Sequence, residues 1–243
     1  MIFVFALIAE IIGTTAGFGS STIFLPLALI YFDFGEALAI VGIFHMFGNL
    51  GRLAFFKKGL DWKLFAKFGV PSVILTFIGA YIASTVSGIG DFLKIVLGAF
   101  LVLYSVYSYA KPKFSFKPEA RVAVVGGAIS GFFAGLIGTG GAIRGAFLTA
   151  FGEKKEAYIA TAAAISIATD FVRVPVYIFG GLLHEDKYWM LPILFVIAFL
   201  GAYIGKNIVG KIGEGAFRKF VLIVILLAGI KIAYDGIAAA GII

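Results

Sequence analysis

Long apolar segments separated by short polar stretches make up most of the chain, and they limit the folds it can adopt. They run at roughly 2–32, 36–56, 64–87 and 92–110, and again at 121–151, 157–182, 188–210 and 216–235. A helix that crosses a bilayer needs about 20 apolar residues, so six of the eight segments have the length of one crossing. Because 61% of the 243 residues are apolar and 14% are charged, polar side chains are too few to cover a water-facing surface. The sequence therefore predicts an all-α integral membrane protein and excludes soluble enzymes and nucleic-acid-binding domains.

The second half of the sequence repeats the first at a nearly constant offset. Gly17 and Arg52 recur as Gly138 and Arg173. The other matches are Gly19 with Gly140, Gly59 with Gly180, Pro71 with Pro192, and the tetrapeptide 79–82 with 201–204. We therefore predict a first repeat at 1–110, a basic linker at 111–120 and a second repeat at 121–243, which together form one membrane domain.

The first segment of each repeat is longer than the others and contains glycines near its middle. Each spans about 30 residues, which is long for one crossing and too short for two. The glycine-rich interruptions lie at 13–21 and 135–141. We therefore predict that each first segment is a broken, re-entrant helix pair, followed by three transmembrane helices.

The distribution of lysine and arginine favours this re-entrant arrangement. If all eight segments crossed, the basic residues outside the membrane would divide 10 to 7 between the two sides. With three crossings per repeat they divide 14 to 3, and the larger group lies at 57–67, 111–121, 154–155 and 206–219. Basic residues collect on the cytoplasmic side, so we predict two inverted repeats, as in many secondary transporters. Both termini would then be extracytoplasmic in a multi-pass protein of the plasma membrane.

The two interruptions are candidate binding elements for an anion. Irregular backbone inside a membrane is tolerated only where protein or a water-filled cavity satisfies its polar groups, and a helix that starts after a break points its amide groups at an anion. Close helix packing is the alternative role for these glycines. The candidate substrate-binding residues at the breaks are Gly17, Gly19, Ser20, Ser21, Thr22, Gly138, Thr139, Gly140, Gly141 and Arg144.

Further polar side chains lie on one face of the second segment in the first repeat. His45, Asn49 and Arg52 are spaced i, i+4 and i+7, which places them on one side of a helix. A guanidinium suits sulfonate, sulfite or carboxylate oxygens, and a histidine can bind an anion or carry a proton. The alternatives are an arginine that extends towards the cytoplasmic loop and a histidine that is buried and hydrogen-bonded.

The matching face of the second repeat carries Asp170 and Arg173, three residues apart. Arg173 is a candidate substrate ligand, and an ion pair with Asp170 is the alternative. Glu10, before the first interruption, and Asp170 are candidate proton-coupling carboxylates or simple arginine partners, since ionisable groups at membrane depth are often functional.

The order of these motifs resembles the sulfite exporter TauE/SafE family. The first-repeat motifs are the stretch 17–27, Glu36-Ala37 and Asp61-Trp62; the second-repeat motifs are 135–141, Glu156-Ala157 and 179–181. The resemblance covers essentially the whole chain. The sequence departs from the family pattern at two places. Ser20-Ser21 stand where glycines are usual, and Phe147 stands at the second-repeat position that matches Pro26, where the family has a proline.

The resemblance implies a small permease for sulfur-containing anions such as sulfite or an organosulfonate. We expect a carrier that works by alternating access around the two interruptions, with an anion channel or a permease for a non-sulfur carboxylate as alternatives. No enzyme activity, metal or cofactor is expected, because the sequence has no cysteine, no His-Glu-x-x-His and no Gly-x-Ser-x-Gly. The expected partners are the small anion and membrane lipid, with no nucleic acid, and the oligomeric state is left open.

Overall fold

The computed structural model describes residues 1–17, 19–56, 59–86, 88–111, 116–208 and 214–241. These residues form ten α-helices and no strand. The helices of the first half are α1 (Ile2–Ala16), α2 (Ser21–Ala28), α3 (Phe34–Phe56), α4 (Trp62–Thr85) and α5 (Ile89–Ala110). Those of the second half are α6 (Ala120–Ile137), α7 (Gly141–Leu148), α8 (Lys155–Phe179), α9 (Met190–Ile208) and α10 (Glu214–Ala239).

The helix boundaries agree with the apolar segments of the sequence. Both long first segments are broken, α1 from α2 and α6 from α7, at the glycines that predicted the interruptions. Trp62 begins α4 and Trp189 directly precedes α9, and both side chains are exposed, as expected of aromatic residues at a membrane interface. Phe18 and residues 112–115 of the predicted linker lie outside the described part of the chain.

Among the described residues, seven helices have the length and apolar composition needed to cross a membrane. They are α3, α4, α5, α6, α8, α9 and the Val221–Ala239 part of α10. The chain is therefore a multi-pass, all-helical membrane protein. α3 and α8 are the most buried of these spans, and they pack against each other at the centre of the bundle.

Helices of each half pack against helices of the other half in a reciprocal pattern. α1 packs against α9, while α6, its counterpart in the second half, packs against α4, the counterpart of α9. Likewise α3 contacts α9, and its counterpart α8 contacts α4. The last helices of the two halves, α5 and α10, contact each other. Such reciprocal pairing is the pattern expected of two repeated units around a two-fold axis.

Many of the glycines bring helices into close contact. Gly127, Gly131 and Gly135 on α6 face backbone carbonyl groups of α4 so closely that a Cβ at any of them would overlap the carbonyl oxygen. The hydroxyl of Ser72 donates to the Gly127 carbonyl at 2.8 Å, and that of Thr76 to the Gly131 carbonyl at 3.0 Å. Small residues and hydroxyl groups of this kind hold membrane helices together, so these glycines have a packing role.

Candidate functional site

The two broken helix pairs meet in the interior of the bundle. α1 ends at Gly17 with φ 82°, and α6 ends at Gly138 with φ 74°; this left-handed conformation is easily adopted only by glycine. The Thr22 and Thr139 hydroxyl oxygens lie 2.7 Å apart and are buried. A hydrogen bond therefore joins α2 directly to the other break.

Arg52 is the centre of one buried polar cluster. Its Nη2 donates to Glu10 Oε1 at 2.5 Å, its Nε to Thr14 Oγ1 at 2.9 Å, and its Nη1 to Asn49 Oδ1 at 2.7 Å. Ser20 Oγ lies 3.5 Å from the same Nη2. Arg52 is 3% exposed, so its side chain is paired inside the bundle and does not extend towards the cytoplasmic loop.

Arg173 is the centre of a second, corresponding cluster. Its Nε donates to Asp170 Oδ1 at 2.8 Å, and its Nη1 donates to the carbonyl oxygens of Ala134 and Gly138, both at 2.9 Å. The ion pair that the sequence offered as the alternative is thus present. Because Gly138 terminates α6, Arg173 also satisfies carbonyl groups that the helix end would leave unpaired.

His45 and Asn49 link the two clusters. His45 Nδ1 lies 2.9 Å from Asp170 Oδ2, and Asn49 Nδ2 lies 3.4 Å from the same oxygen. Asn49 also accepts a hydrogen bond from Arg52. The polar faces predicted separately on the two central helices therefore face each other in the structure.

Arg144 differs from the other two buried arginines. It lies in α7, in the turn after the second break, and is 4% exposed. Its backbone N–H donates to the Gly140 carbonyl at 2.8 Å. Within the described ranges, its guanidinium has no hydrogen bond and no ion pair, whereas Arg52 and Arg173 each have a carboxylate partner.

Gly19, His45 and Arg144 converge at one point in the interior. A Cβ built on Gly19 would lie 2.7 Å from His45 Nε2 and 3.6 Å from Arg144 Nη2. Gly19 has φ 95°, a conformation that favours glycine. The missing side chain thus leaves the unpaired guanidinium and a ring nitrogen next to the backbone of the first break.

The remaining glycines of the breaks are constrained by packing. Gly140 caps α7 and lies so close to the Ser130 carbonyl oxygen that a Cβ would overlap it. A Cβ on Gly17 would lie 2.8 Å from the Tyr158 ring. Ser21 and Gly141 are the first residues of α2 and α7, and both are buried.

Sequence reasoning missed two buried residues of this site, Thr14 and Tyr177. Thr14 lies between the Arg52 guanidinium and the Glu10 carboxylate, donating to the latter at 3.1 Å. The Tyr177 hydroxyl donates to the Gly135 carbonyl. Both positions follow the helical spacing, four residues after Glu10 and four after Arg173, so they share a face with a predicted site residue.

The loop around His184 is held against the bundle by polar contacts. His184 Nδ1 lies 2.7 Å from Glu36 Oε1. Lys187 Nζ lies 3.7 Å from the same carboxylate oxygen. The loop before α9 is thereby attached to the first turn of α3. Its neighbour Asp186 is hydrogen-bonded by Lys187, which lowers the pKa of that carboxyl below its usual range.

Nearly the whole chain matches one known protein family. The model of one family, described as sulfite exporter TauE/SafE, matches residues 2–232. The chain belongs to the sulfite exporter TauE/SafE family. Neither the curated proteins nor the solved structures contain a match to it. The family match confirms the resemblance seen in the sequence motifs. TauE/SafE proteins are membrane transporters.

Proposed function

We propose that this TauE/SafE protein is a secondary transporter of a small anion, with sulfite, another sulfur oxyanion or an organosulfonate as the favoured substrate. One observation carries the proposal: Arg144 is a buried cation with no partner among the described residues, and it lies beside both breaks. A buried charge without a partner is costly. An anion bound at this point would remove that cost.

The surroundings of Arg144 supply further groups for an anion. The amide groups at the starts of α2 and α7 carry the positive end of each helix dipole. Thr22 in α2 and Thr139 just before α7 add two hydroxyl groups. An oxyanion of sulfur presents several acceptor oxygens to such a set of donors. The site residues of the proposal are Gly19, Thr22, His45, Thr139 and Arg144, with Arg52 and Arg173 as the paired framework around them.

Alternating access between the two repeats is the proposed mechanism. The reciprocal packing of the two halves supports a two-fold arrangement in which one unit moves against the other around a fixed site. We further propose that the repeats are inverted in the plasma membrane and that both termini are extracytoplasmic, because the charge distribution of the loops favours that topology.

Proton coupling through a buried carboxylate is part of the proposal, and Glu10 is the better of the two candidates. Both oxygens of Asp170 have partners, Oδ1 with Arg173 and Oδ2 with His45. Glu10 Oε2 is buried and has no hydrogen-bond partner in the described part of the chain. That oxygen is free to accept a proton while Oε1 keeps its contact with Arg52.

Counterflow in proteoliposomes tests the function. Vesicles that contain the purified protein and unlabelled sulfite are expected to take up radiolabelled sulfite transiently above its equilibrium level, with saturation at high concentration. Uptake that does not saturate and shows no counterflow would support the alternative of an anion channel. Counterflow with acetate but with neither sulfite nor methanesulfonate would support a carboxylate permease instead.

A further inference from the structure

The charges buried at the centre of the bundle do not cancel. Two carboxylates, Glu10 and Asp170, face three guanidinium groups in the described part of the chain. Glu10 lies 2.5 Å from Arg52, and Asp170 lies 2.8 Å from Arg173. Arg144 is left over, and the site therefore carries one uncompensated positive charge.

The two paired arginines have few donors left for a substrate. Arg52 directs Nε, Nη1 and Nη2 at protein oxygens, and Arg173 directs Nε and Nη1 at them. An anion that took a donor from either pair would leave a carboxylate buried without its partner, which is costly. The charge that an anion meets is therefore that of Arg144.

The repeat does not double this charge. At the offset that aligns Gly140 with Gly19, the position equivalent to Arg144 is Ile23. Ile23 is buried and apolar. The two-fold arrangement of the helices therefore surrounds a site whose charge comes from one repeat alone.

His45 does not change the number of buried charges at the site in mildly alkaline solution. The ring contacts Asp170 and Arg173 on α8 and Asn49 on its own helix. It is counted as neutral at pH 8, because an ordinary histidine has a pKa of about 6.5. With Glu10 and Asp170 both ionised, the site thus holds a single net positive charge at pH 8.

We propose that this carrier selects singly charged anions, such as hydrogensulfite, and discriminates against doubly charged ones, such as the sulfite and sulfate dianions, with Arg144 as the residue that sets the preference. This inference rests on the proposed anion transport. When the site closes over a monoanion, the buried charges cancel. A dianion leaves one negative charge, and a neutral molecule leaves Arg144, without a partner in a low-dielectric interior.

Three compounds with the same tetrahedral sulfur but different fixed charge test the proposal. Dimethyl sulfone is neutral, methanesulfonate carries one negative charge and sulfate carries two at pH 8. Binding to the purified full chain is measured by calorimetry, and transport by counterflow. Methanesulfonate is expected to bind at least tenfold more tightly than either of the other two.

The possible outcomes separate the two proposals. Equal or tighter binding of sulfate overturns the charge preference but leaves anion transport standing. Equal binding of dimethyl sulfone overturns the role of charge. A protein that moves no anion in the series, sulfite included, contradicts the proposed function itself.

Two variants change the charge count in opposite directions. Arg144→Gln removes the uncompensated charge and is expected to reduce methanesulfonate binding at least tenfold. Glu10→Gln keeps the shape of the side chain but frees Arg52, so the ratio of sulfate to methanesulfonate affinity is expected to rise. If the ratio of sulfate to methanesulfonate affinity is unchanged in a folded Glu10→Gln protein, the count of buried charges is contradicted.

Glu185→Gln, on the exposed loop, is the matched control and is expected to leave this affinity ratio unchanged. If Glu10→Gln does not fold, the three compounds on the unmodified chain still decide the question.

Discussion

Thr22 and Thr139 form a hydrogen bond of 2.7 Å between their hydroxyl groups, across 117 residues of sequence. Thr22 lies in the first turn of α2, and Thr139 lies in the break between α6 and α7. Both side chains are fully buried. The contact therefore joins the two broken helix pairs directly.

Loss of both hydroxyl groups of this pair should cost less stability than the sum of the two single losses. In Thr139→Val the Thr22 hydroxyl stays buried without this partner, so we expect the free energy of unfolding to fall by about 1–3 kcal/mol. The double variant Thr22→Val/Thr139→Val should lose less than the sum of the two single variants. Thermal unfolding in detergent measures all three, with Thr149→Val as an exposed control. Additive losses would contradict a direct contact between the two residues.

Two of the three buried arginines should differ in role, with Arg144 serving binding and Arg173 serving stability. Arg173→Gln leaves Asp170 without its cation and removes donors to two carbonyl groups, so we expect a loss of about 3–5 kcal/mol in stability. Arg144→Gln removes a cation that has no such partner, so the protein should keep its stability and lose anion transport. Unfolding curves and counterflow rates on the same preparations check both, and Arg121→Gln, an exposed site, is the control. A stable Arg173→Gln protein would contradict the ion-pair assignment.

Helix positions were predictable from the sequence because they depend on local pattern. Apolar length fixed the spans to within about four residues at each end, and the glycine clusters located both breaks. The common face of His45, Asn49 and Arg52 also followed directly from helical spacing. The family was recognisable for the same reason, since its motifs are continuous stretches of sequence.

Tertiary partners were not predictable, because periodicity says which side of a helix a residue occupies and not what faces it. Arg52, Arg144 and Arg173 were all candidate substrate ligands in the sequence. The pair of Arg173 with Asp170 follows from i, i+3 spacing within α8. By contrast, only the tertiary structure pairs Arg52 with Glu10 of α1 and leaves Arg144 without a carboxylate partner among the described residues. Gly19 and Gly140 were likewise equivalent by repeat, yet one approaches a side chain and the other a backbone carbonyl.

Gly19 should be sensitive to substitution beyond the effect of its backbone conformation. In Gly19→Ala the new methyl group would lie 2.7 Å from His45 Nε2 and would fill the space beside Arg144, so we expect at least a tenfold loss of counterflow. Gly88 has a similar positive φ, 72°, and nothing within 4 Å of a Cβ. Gly88→Ala thus carries a comparable backbone strain of about 1–2 kcal/mol and should transport normally. Equal activity of the two variants would contradict a site next to Gly19.

The inverted topology can be tested with single cysteines, because the chain has none. Lys117 and Asp186 are both exposed. With re-entrant first segments, Lys117→Cys should react with an impermeant thiol reagent only from the cytoplasmic side, and Asp186→Cys only from the opposite side. If the first segments crossed the membrane completely, one further crossing would place both residues on the same side. Labelling of both cysteines from one side would therefore exclude the inverted arrangement.

Neutralising Glu10 should uncouple transport from the proton gradient. Glu10 Oε2 is the buried carboxylate oxygen without a hydrogen-bond partner in the described ranges, while Gly48 and Gly201 leave the space that this side chain occupies. Glu10→Gln cannot take up a proton, so exchange of labelled for unlabelled methanesulfonate should persist, while accumulation driven by a pH gradient should be lost.

Asp170→Asn is the matched comparison. Because Asp170 is held by Arg173 and His45, this change is expected to lower stability and, in protein that remains folded, to leave gradient-driven accumulation intact. Gradient-driven accumulation by Glu10→Gln, together with its loss in folded Asp170→Asn, would assign the proton to Asp170 instead.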